Sequence, residues 1–263
     1  MKIISKRGRT NPTASLLSRD QLVEIQNCRS NPNYFISTYI KYLDVTSGPQ
    51  VLSPRNHQLE YVNNLHQARN LIAMMPRQTG STIISIAFML WEAMFTDNQR
   101  ILMQGVNVGN TKTMCDTLTF MLNHLPNFLR SLISVQRRTE VVFSNGSFLR
   151  VGAISPNSMR GMSLTRAYFD CFAYAPPPLQ QSMVFEFMPA MAQGCKINLT
   201  SVPNGPNNVF AAIWADACSS KNSNFTAFKR TVDDISYSVL WKHRTQAMMG
   251  QAAYSREYMC EFV

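Results

Sequence analysis

The stretch MPRQTGST, residues 75–82, follows the apolar run NLIAMM (70–75) and precedes the apolar segment IISIAFMLWEAMF (83–95). Strand, glycine-containing loop and helix, in that order, form the setting of a phosphate loop. Its backbone N–H groups and the helix N-terminus hold phosphate oxygens. In such a loop a lysine adds a point charge on the β- and γ-phosphates, and the Ser/Thr hydroxyl after it binds Mg²⁺. Here Gly80 and Thr82 meet the pattern, and Ser81 stands where the lysine is expected. An ordinary strand-to-helix turn would carry the same residues, so the stretch alone leaves both readings open.

Two further groups of residues have the right types. The short apolar strand RAYFD (166–170) ends in Asp170, where a P-loop ATPase places the acid that holds the Mg²⁺ water shell. In hydrolysing members of the additional-strand class the next residue is a glutamate that polarises the attacking water; here it is Cys171. A thiol cannot accept a proton in that role unless it is ionised, and a neighbouring acid disfavours the thiolate. Alone, Asp170 reads first as a surface acid at a strand end. Upstream, in LSPRNHQ (52–58), Arg55 and Gln58 lie just before the first core strand. A glutamine amide can both donate to and accept from an adenine edge, although on a helix face it is ordinarily just solvated.

These residues need a sheet to position them. Residues 20–44 read as two short helices broken at Asn31-Pro32, and VTSGPQVLSP (45–54) as a loop. Helical periodicity follows over 55–68, a strand over 70–75 and a helix over about 82–96. A second strand spans 101–106 and a second helix 110–125. Asn145-Gly146 marks a hairpin within 140–153. Then come a strand at 166–170, a helix at 178–193, a strand at 196–202, a helix at 208–219 and an edge strand within 224–235, with the remainder helical. Apolar strands alternating with long helices imply crossover units and a parallel sheet, made mixed by the hairpin.

The bulk composition fits a folded chain with material for a core: of 263 residues, 45% are hydrophobic and 15% charged. A net charge of +10 suggests a polyanionic partner, nucleic acid first, although a merely basic protein has the same balance. The basic cluster Lys2, Lys6, Arg7 and Arg9 reads as a solvated arm. Six cysteines show no C-x-x-C pair and no metal spacing with histidine, which argues against a zinc site or a disulfide framework and for a reducing compartment. There is no apolar leader-like segment at the N-terminus, and 83–95, interrupted by Glu92, is too short for a bilayer and reads as a buried helix.

Taken together, the chain resembles the ATPase domain of the large terminase subunit, the DNA-packaging motor of tailed bacteriophages. The matching stretches are NPNYFISTYIKY (31–42), LSPRNHQLEYV (52–62), MPRQTGST (75–82), NGSFLRVGAISPNSMRGMSLTRAYFD (145–170), NLTSVPNG (198–205) and REYMCEF (256–262). They occur in the family's order over roughly residues 20–263, and the Arg-Gln-x-Gly start of the loop and the Met-Arg-Gly-x-Ser segment are fairly specific.

The resemblance implies an α/β P-loop NTPase of the additional-strand class, with a mostly parallel sheet, flanking helices and a β-hairpin insertion. It implies ATP and Mg²⁺ as ligands. Gln58, with Arg55, matches the adenine motif; Arg77, Gln78, Thr79, Gly80, Ser81 and Thr82 match the phosphate loop; Thr82 and Asp170 match the Mg²⁺ ligands. Arg160 matches an arginine that in some relatives reaches a neighbouring subunit's nucleotide, and Cys171 occupies the catalytic position. Thr200 and Ser201 match the motif that couples the γ-phosphate to DNA gripping. A structural loop arginine and plain strand-end hydroxyls remain equal readings of Arg160, Thr200 and Ser201.

The implied partners are double-stranded DNA held by its phosphate backbone, a portal protein, a small terminase subunit and further copies in a ring, with no membrane, in the cytoplasm of an infected bacterial host. Two departures bear on catalysis, Ser81 for Lys and Cys171 for Glu, and together they predict little or no hydrolysis. The chain also stops near where the family's C-terminal nuclease domain would begin, so residues 1–19 are expected to be an arm, 20–263 the ATPase domain, and the nuclease absent. The competing expectation is a non-hydrolysing binding or scaffold subunit beside an active ATPase or a separate nuclease. An unrelated basic DNA-binding module has no helix-turn-helix or zinc pattern to support it.

Overall fold

The structure is a computed structural model that describes residues 17–220 and 223–263. The basic cluster at Lys2, Lys6, Arg7 and Arg9 lies outside the described residues.

The chain opens with α1 (Arg19–Ser30) and α2 (Pro32–Tyr39). Asn31 separates them: its side chain accepts the N–H groups of Asn33 and Tyr34, and Pro32 fills the first helical position, where no N–H is needed. Residues 41–51 differ from the expected helix end and loop. They form a small antiparallel hairpin, β1 (Lys41–Asp44) and β2 (Gly48–Val51). Asp44 accepts from the N–H groups of Thr46 and Ser47 at its turn, and Gly48 supplies a φ of +71°. Four-residue strands leave too short an alternation to be recognised from sequence.

Then follow α3 (Asn56–Gln67), β3 (Leu71–Met74), α4 (Ser81–Phe95), β4 (Arg100–Gly105), α5 (Val108–Asn123) and a single helical turn α6 (Asn127–Arg130). β5 (Ile133–Gln136), β6 (Glu140–Phe143) and β7 (Phe148–Ala153) come next, then β8 (Arg166–Asp170), α7 (Pro177–Ala192), β9 (Lys196–Ser201), α8 (Val209–Ser219), β10 (Thr226–Lys229), α9 (Val239–Met249) and α10 (Gln251–Glu257). α6 and β5 were not foreseen.

Eight strands make one sheet in the order β10-β3-β9-β8-β4-β7-β6-β5. The first six run parallel, and the last two pairings, β7–β6 and β6–β5, are antiparallel. The β6–β7 hairpin is therefore not an appendage to the sheet: β7 lies in register along β4, and β6 and β5 extend the sheet beyond it. One strand, β9, lies between the strand that leads into the loop and the strand that ends in Asp170. That interposed strand is what the additional-strand class requires.

Both faces of the central strands are covered, as parallel sheets demand. In β3, Leu71 and Ala73 join the core under α1–α5, while Ile72 and Met74 join the core under α7 and α8. α4 is enclosed, with every residue from Ile84 to Phe95 buried. Its one acid, Glu92, is bound by Arg166 of β8, whose Nε and Nη2 both donate to the carboxylate, the latter at 2.8 Å. Arg166 also donates to Asn198 Oδ1 of β9 (2.6 Å) and to the Leu65 carbonyl of α3 (3.3 Å). A buried ion pair costs less when both groups are fully hydrogen-bonded, and this one joins two helices to two strands.

Candidate functional site

At the C-terminal ends of β3, β4, β8 and β9 the sheet opens into a cavity of about 590 Å³. Ligands in open α/β sheets bind at this end of the strands. Its lining includes Arg77, Gln78, Ser81 and Thr82 from the loop, Asn110 from α5, Asp170 and Cys171, and Thr200 and Ser201.

The loop is shaped from behind. Gln78 and Gly80 both take left-handed backbone conformations (φ 61° and 80°), and Gly80 caps α4 with no side chain. Its φ of 80° favours glycine, and a Cβ built there would come within 2.6 Å of Gln58 Nε2 and push that amide aside. Thr79 is buried, and its hydroxyl donates to the Pro76 carbonyl at 2.6 Å. This fold of the chain turns the start of α4 toward the cavity, where its N–H groups and dipole favour an anion.

Gln58 is placed differently from the adenine-edge role expected of it. It is buried, and both ends of its amide are taken: Oε1 accepts from the Arg55 N–H (2.8 Å) and Nε2 donates to the Thr79 carbonyl (2.8 Å). It braces the phosphate loop and does not line the cavity. Arg55 is exposed at the start of α3, also outside the cavity lining. The neighbouring His57 ring lies 3.4 Å from the same Thr79 carbonyl, and burial lowers its pKa.

Thr82 and Asp170 meet. The Thr82 hydroxyl lies 3.1 Å from both carboxylate oxygens. Asn110 Nδ2 donates to Oδ2 (2.9 Å) and the Tyr168 hydroxyl to Oδ1 (2.7 Å). Asp170 is 1% exposed, so it is an acid built into the site and not a surface strand end. Among the described residues no cluster of three or more His, Cys, Asp or Glu side chains could hold a metal. Mg²⁺ does not require one. It takes hard oxygen ligands, keeps several waters, and is ordinarily held through one or two carboxylates plus substrate phosphates. A hydroxyl and a carboxylate already converging at the mouth of a phosphate loop fit that ion.

Cys171 follows Asp170 with a φ of 57°, its Sγ 3.8 Å from Asp170 Oδ2. Burial, and then the Asp170 charge, push its pKa up to about 12. It is a protonated thiol at neutral pH, and no carboxylate occupies the position.

Thr200 and Ser201, at the end of the interposed strand, are joined to the rest of the site. Tyr61 of α3 is fully buried, and its hydroxyl lies 2.9 Å from both Thr200 Oγ1 and Ser85 Oγ of α4. Ser85 in turn donates to the Ser81 carbonyl (2.9 Å). Ser201 Oγ accepts the Ala173 N–H (3.3 Å). Sequence reasoning missed Tyr61 and Tyr168. The second had a signal: two residues before Asp170 on a strand, it must share that residue's face.

Arg160 stands apart. It is exposed on the turn after β7 and lines a separate depression with Met162, Phe185 and Glu186. Within one chain it does not reach the cavity lining. Arg256 and Glu257, at the end of α10, do line it, although sequence reading gave them no role.

No family model matches the chain. Its fold is that of solved phage large-terminase ATPase domains. A mutant of the large-terminase ATPase domain of Thermus phage P74-26 matches with a TM-score of 0.65 over 80% of this chain and 95% of that one, at 16% identity. The large terminase of a thermophilic bacteriophage, solved with ADP, matches with a TM-score of 0.62 over 79% of this chain, at 21% identity. The same protein is also solved with ATP-gamma-S. The large terminase of bacteriophage HK97 matches with a TM-score of 0.64 over 89% of this chain, at 12% identity. This chain spans about half the length of the last two proteins, 53% and 49%.

Proposed function

We propose that this chain is a member of the terminase large-subunit family and its ATP-binding motor domain, with hydrolysis impaired. The observation that carries the reading is the convergence of Thr82 and Asp170 at the cavity mouth of a strand–loop–helix unit. The fold likeness, with relatives solved in complex with ADP and ATP-gamma-S, supports nucleotide as the ligand.

In this reading the loop amides and the start of α4 hold the polyphosphate. Thr82 and Asp170 hold Mg²⁺, which when bound neutralises charge on the phosphates. Asn110 and Tyr168 fix the orientation of the Asp170 carboxylate. Cys171 keeps its proton and cannot take one from water, and Ser81 brings no charge to the phosphates. Thr200 sits in one hydrogen-bonded chain with Tyr61, Ser85 and the Ser81 carbonyl, a route by which occupancy of the loop is felt at the end of β9. Arg160, exposed and outside its own cavity, acts in this reading on a neighbour in a ring. Double-stranded DNA, drawn through its backbone phosphates by the net charge of +10, is the translocated partner, with portal protein and small subunit completing the assembly. Among the described residues no helix is long and apolar enough to cross a membrane.

The test is Mg-ATP turnover and ATP-gamma-S binding by the purified chain, with and without Ser81→Lys plus Cys171→Glu. Binding by both forms is expected, with turnover at background in the unmodified chain and above it in the doubly substituted one. Turnover well above background in the unmodified chain would sink the impaired-hydrolysis reading. No binding by either form would remove the nucleotide assignment altogether. The Cys171 thiol favours a second reading, a non-hydrolysing subunit that binds nucleotide beside an active ATPase. Under it, the double substitution would leave turnover at background while ATP-gamma-S still binds.

A further inference from the structure

Ser81 leaves the phosphate loop without its usual lysine, yet the cavity contains two other cations. Arg77 comes from the loop after β3 and Arg256 from the last turn of α10, far away in sequence. Glu257 ties them together. Its side chain is 7% exposed; Oε1 accepts from Arg256 Nε (3.0 Å) and from the Tyr174 hydroxyl (3.2 Å), and Oε2 lies 4.0 Å from Arg77 Nη1. The backbone repeats the link, with the Arg77 N–H donating to the Glu257 carbonyl at 3.0 Å.

The arrangement is asymmetric in an informative way. The carboxylate is buried, while the guanidinium side chains remain 65% and 39% exposed for Arg77 and Arg256. Arg256 is held through Nε. Among the described residues its two Nη groups make no hydrogen bond, and they form the fork that grips a phosphate with two parallel bonds. Asp170 supplies the opposing charge in the same cavity, so a polyphosphate entering without a local cation would be repelled.

We propose that Arg256, together with Arg77, is the phosphate-binding cation of this site in place of the missing loop lysine, and that Glu257 is the positioning residue that aims both. The ligand class is a nucleoside polyphosphate. This inference rests on the nucleotide-binding reading above and assigns its charge to a new element, the C-terminal helix.

The experiment compares binding of ATP-gamma-S, ADP and adenosine by the unmodified chain and by Arg256→Gln, read by calorimetry, with thermal melting as the folding control. Arg256→Gln is expected to weaken ATP-gamma-S roughly tenfold or more, a charge-assisted contact's worth, and to leave adenosine unchanged. Ser81→Lys added to Arg256→Gln is expected to restore the lost affinity. Glu257→Gln is expected to weaken binding less, and in the Arg256→Gln background to add only the smaller effect that passes through Arg77. Equal ATP-gamma-S affinity in Arg256→Gln and the unmodified chain overturns the proposal while leaving the nucleotide reading intact. Failure of the unmodified chain to bind either nucleotide overturns the reading beneath it. Should Arg256→Gln not fold, Arg256→Lys keeps the charge but loses the fork. A severalfold loss of ATP-gamma-S affinity at unchanged melting temperature then supports the assignment, and equal affinity overturns it.

Discussion

The groups behind the phosphate loop and those in front of it differ in how completely they are partnered. Behind it, Gln58 uses both ends of its amide, Tyr61 bridges Ser85 to Thr200, and Arg166 donates to Glu92, Asn198 and a carbonyl. In front, Arg77 and Gln78 are exposed and Ser81 and Cys171 face the cavity. Both departures from the ATPase pattern, Ser81 and Cys171, lie on the cavity side. The interior needs its polar network because an unpaired buried group costs free energy at once. The cavity side faces water or ligand, so its residues can change without disturbing the fold. A chain can therefore keep its full scaffold and alter only the groups that face the cavity.

The contrast is broken most easily at Arg166. Arg166→Met should destabilise the protein by about 3–5 kcal/mol, because it leaves the Glu92 carboxylate buried and unpaired. Replacing both, Arg166→Met with Glu92→Leu, should recover most of that in denaturant unfolding. A loss below about 1 kcal/mol for the single change would show that the interior is not what holds the site.

Cys171 tests the other side. With its pKa at about 12, its alkylation at pH 8 should run about 10³-fold slower than that of an ordinary thiol, measured by mass spectrometry in a Cys218→Ser background. The same shift has a stability consequence. Cys28, Cys171, Cys195 and Cys260 are all raised to about 12, chiefly by burial. Their folded pKa values exceed the unfolded one, so their contribution is complete below about pH 9 and is lost as pH rises toward 12. The denaturation midpoint should fall over that window.

Tyr61→Phe removes a hydroxyl from the buried chain and should cost about 1–3 kcal/mol, sharpening the view that the network is structural as well as connective. Arg160→Ala should change stability by less than about 0.5 kcal/mol in the isolated chain, since it is exposed and outside the core. A larger loss would identify it as a structural arginine.

The sequence made much of this legible, and the reasons differ by element. The strand–loop–helix unit was readable because strand, Gly80 and helix are contiguous, and the position of Asp170 because a strand end fixes its level in the sheet. The partners of Gln58 were not legible, because a sequence does not say which neighbour claims an amide; here the Arg55 N–H and the Thr79 carbonyl do. Glu92 read as an interruption in an apolar helix because its partner, Arg166, lies 74 residues away on another element. Arg256 and Glu257 open the matching stretch REYMCEF, yet nothing local in it points to the cavity. Only the return of α10 to the loop, through the bond from Arg77 N–H to the Glu257 carbonyl, brings them to the site.

The strand order has one more consequence, for local opening. β3, which carries the loop, is one strand from the edge of the sheet, and its outer neighbour β10 is only four residues long. β8 and β4, by contrast, are flanked on both sides by strands of five or six residues. Peeling away β10 would expose the amides of β3 that face it while leaving the ladder to β9 intact. Amide protons of β3 should therefore exchange with solvent sooner than those of β8, so that the two walls of one cavity differ in how long they stay closed.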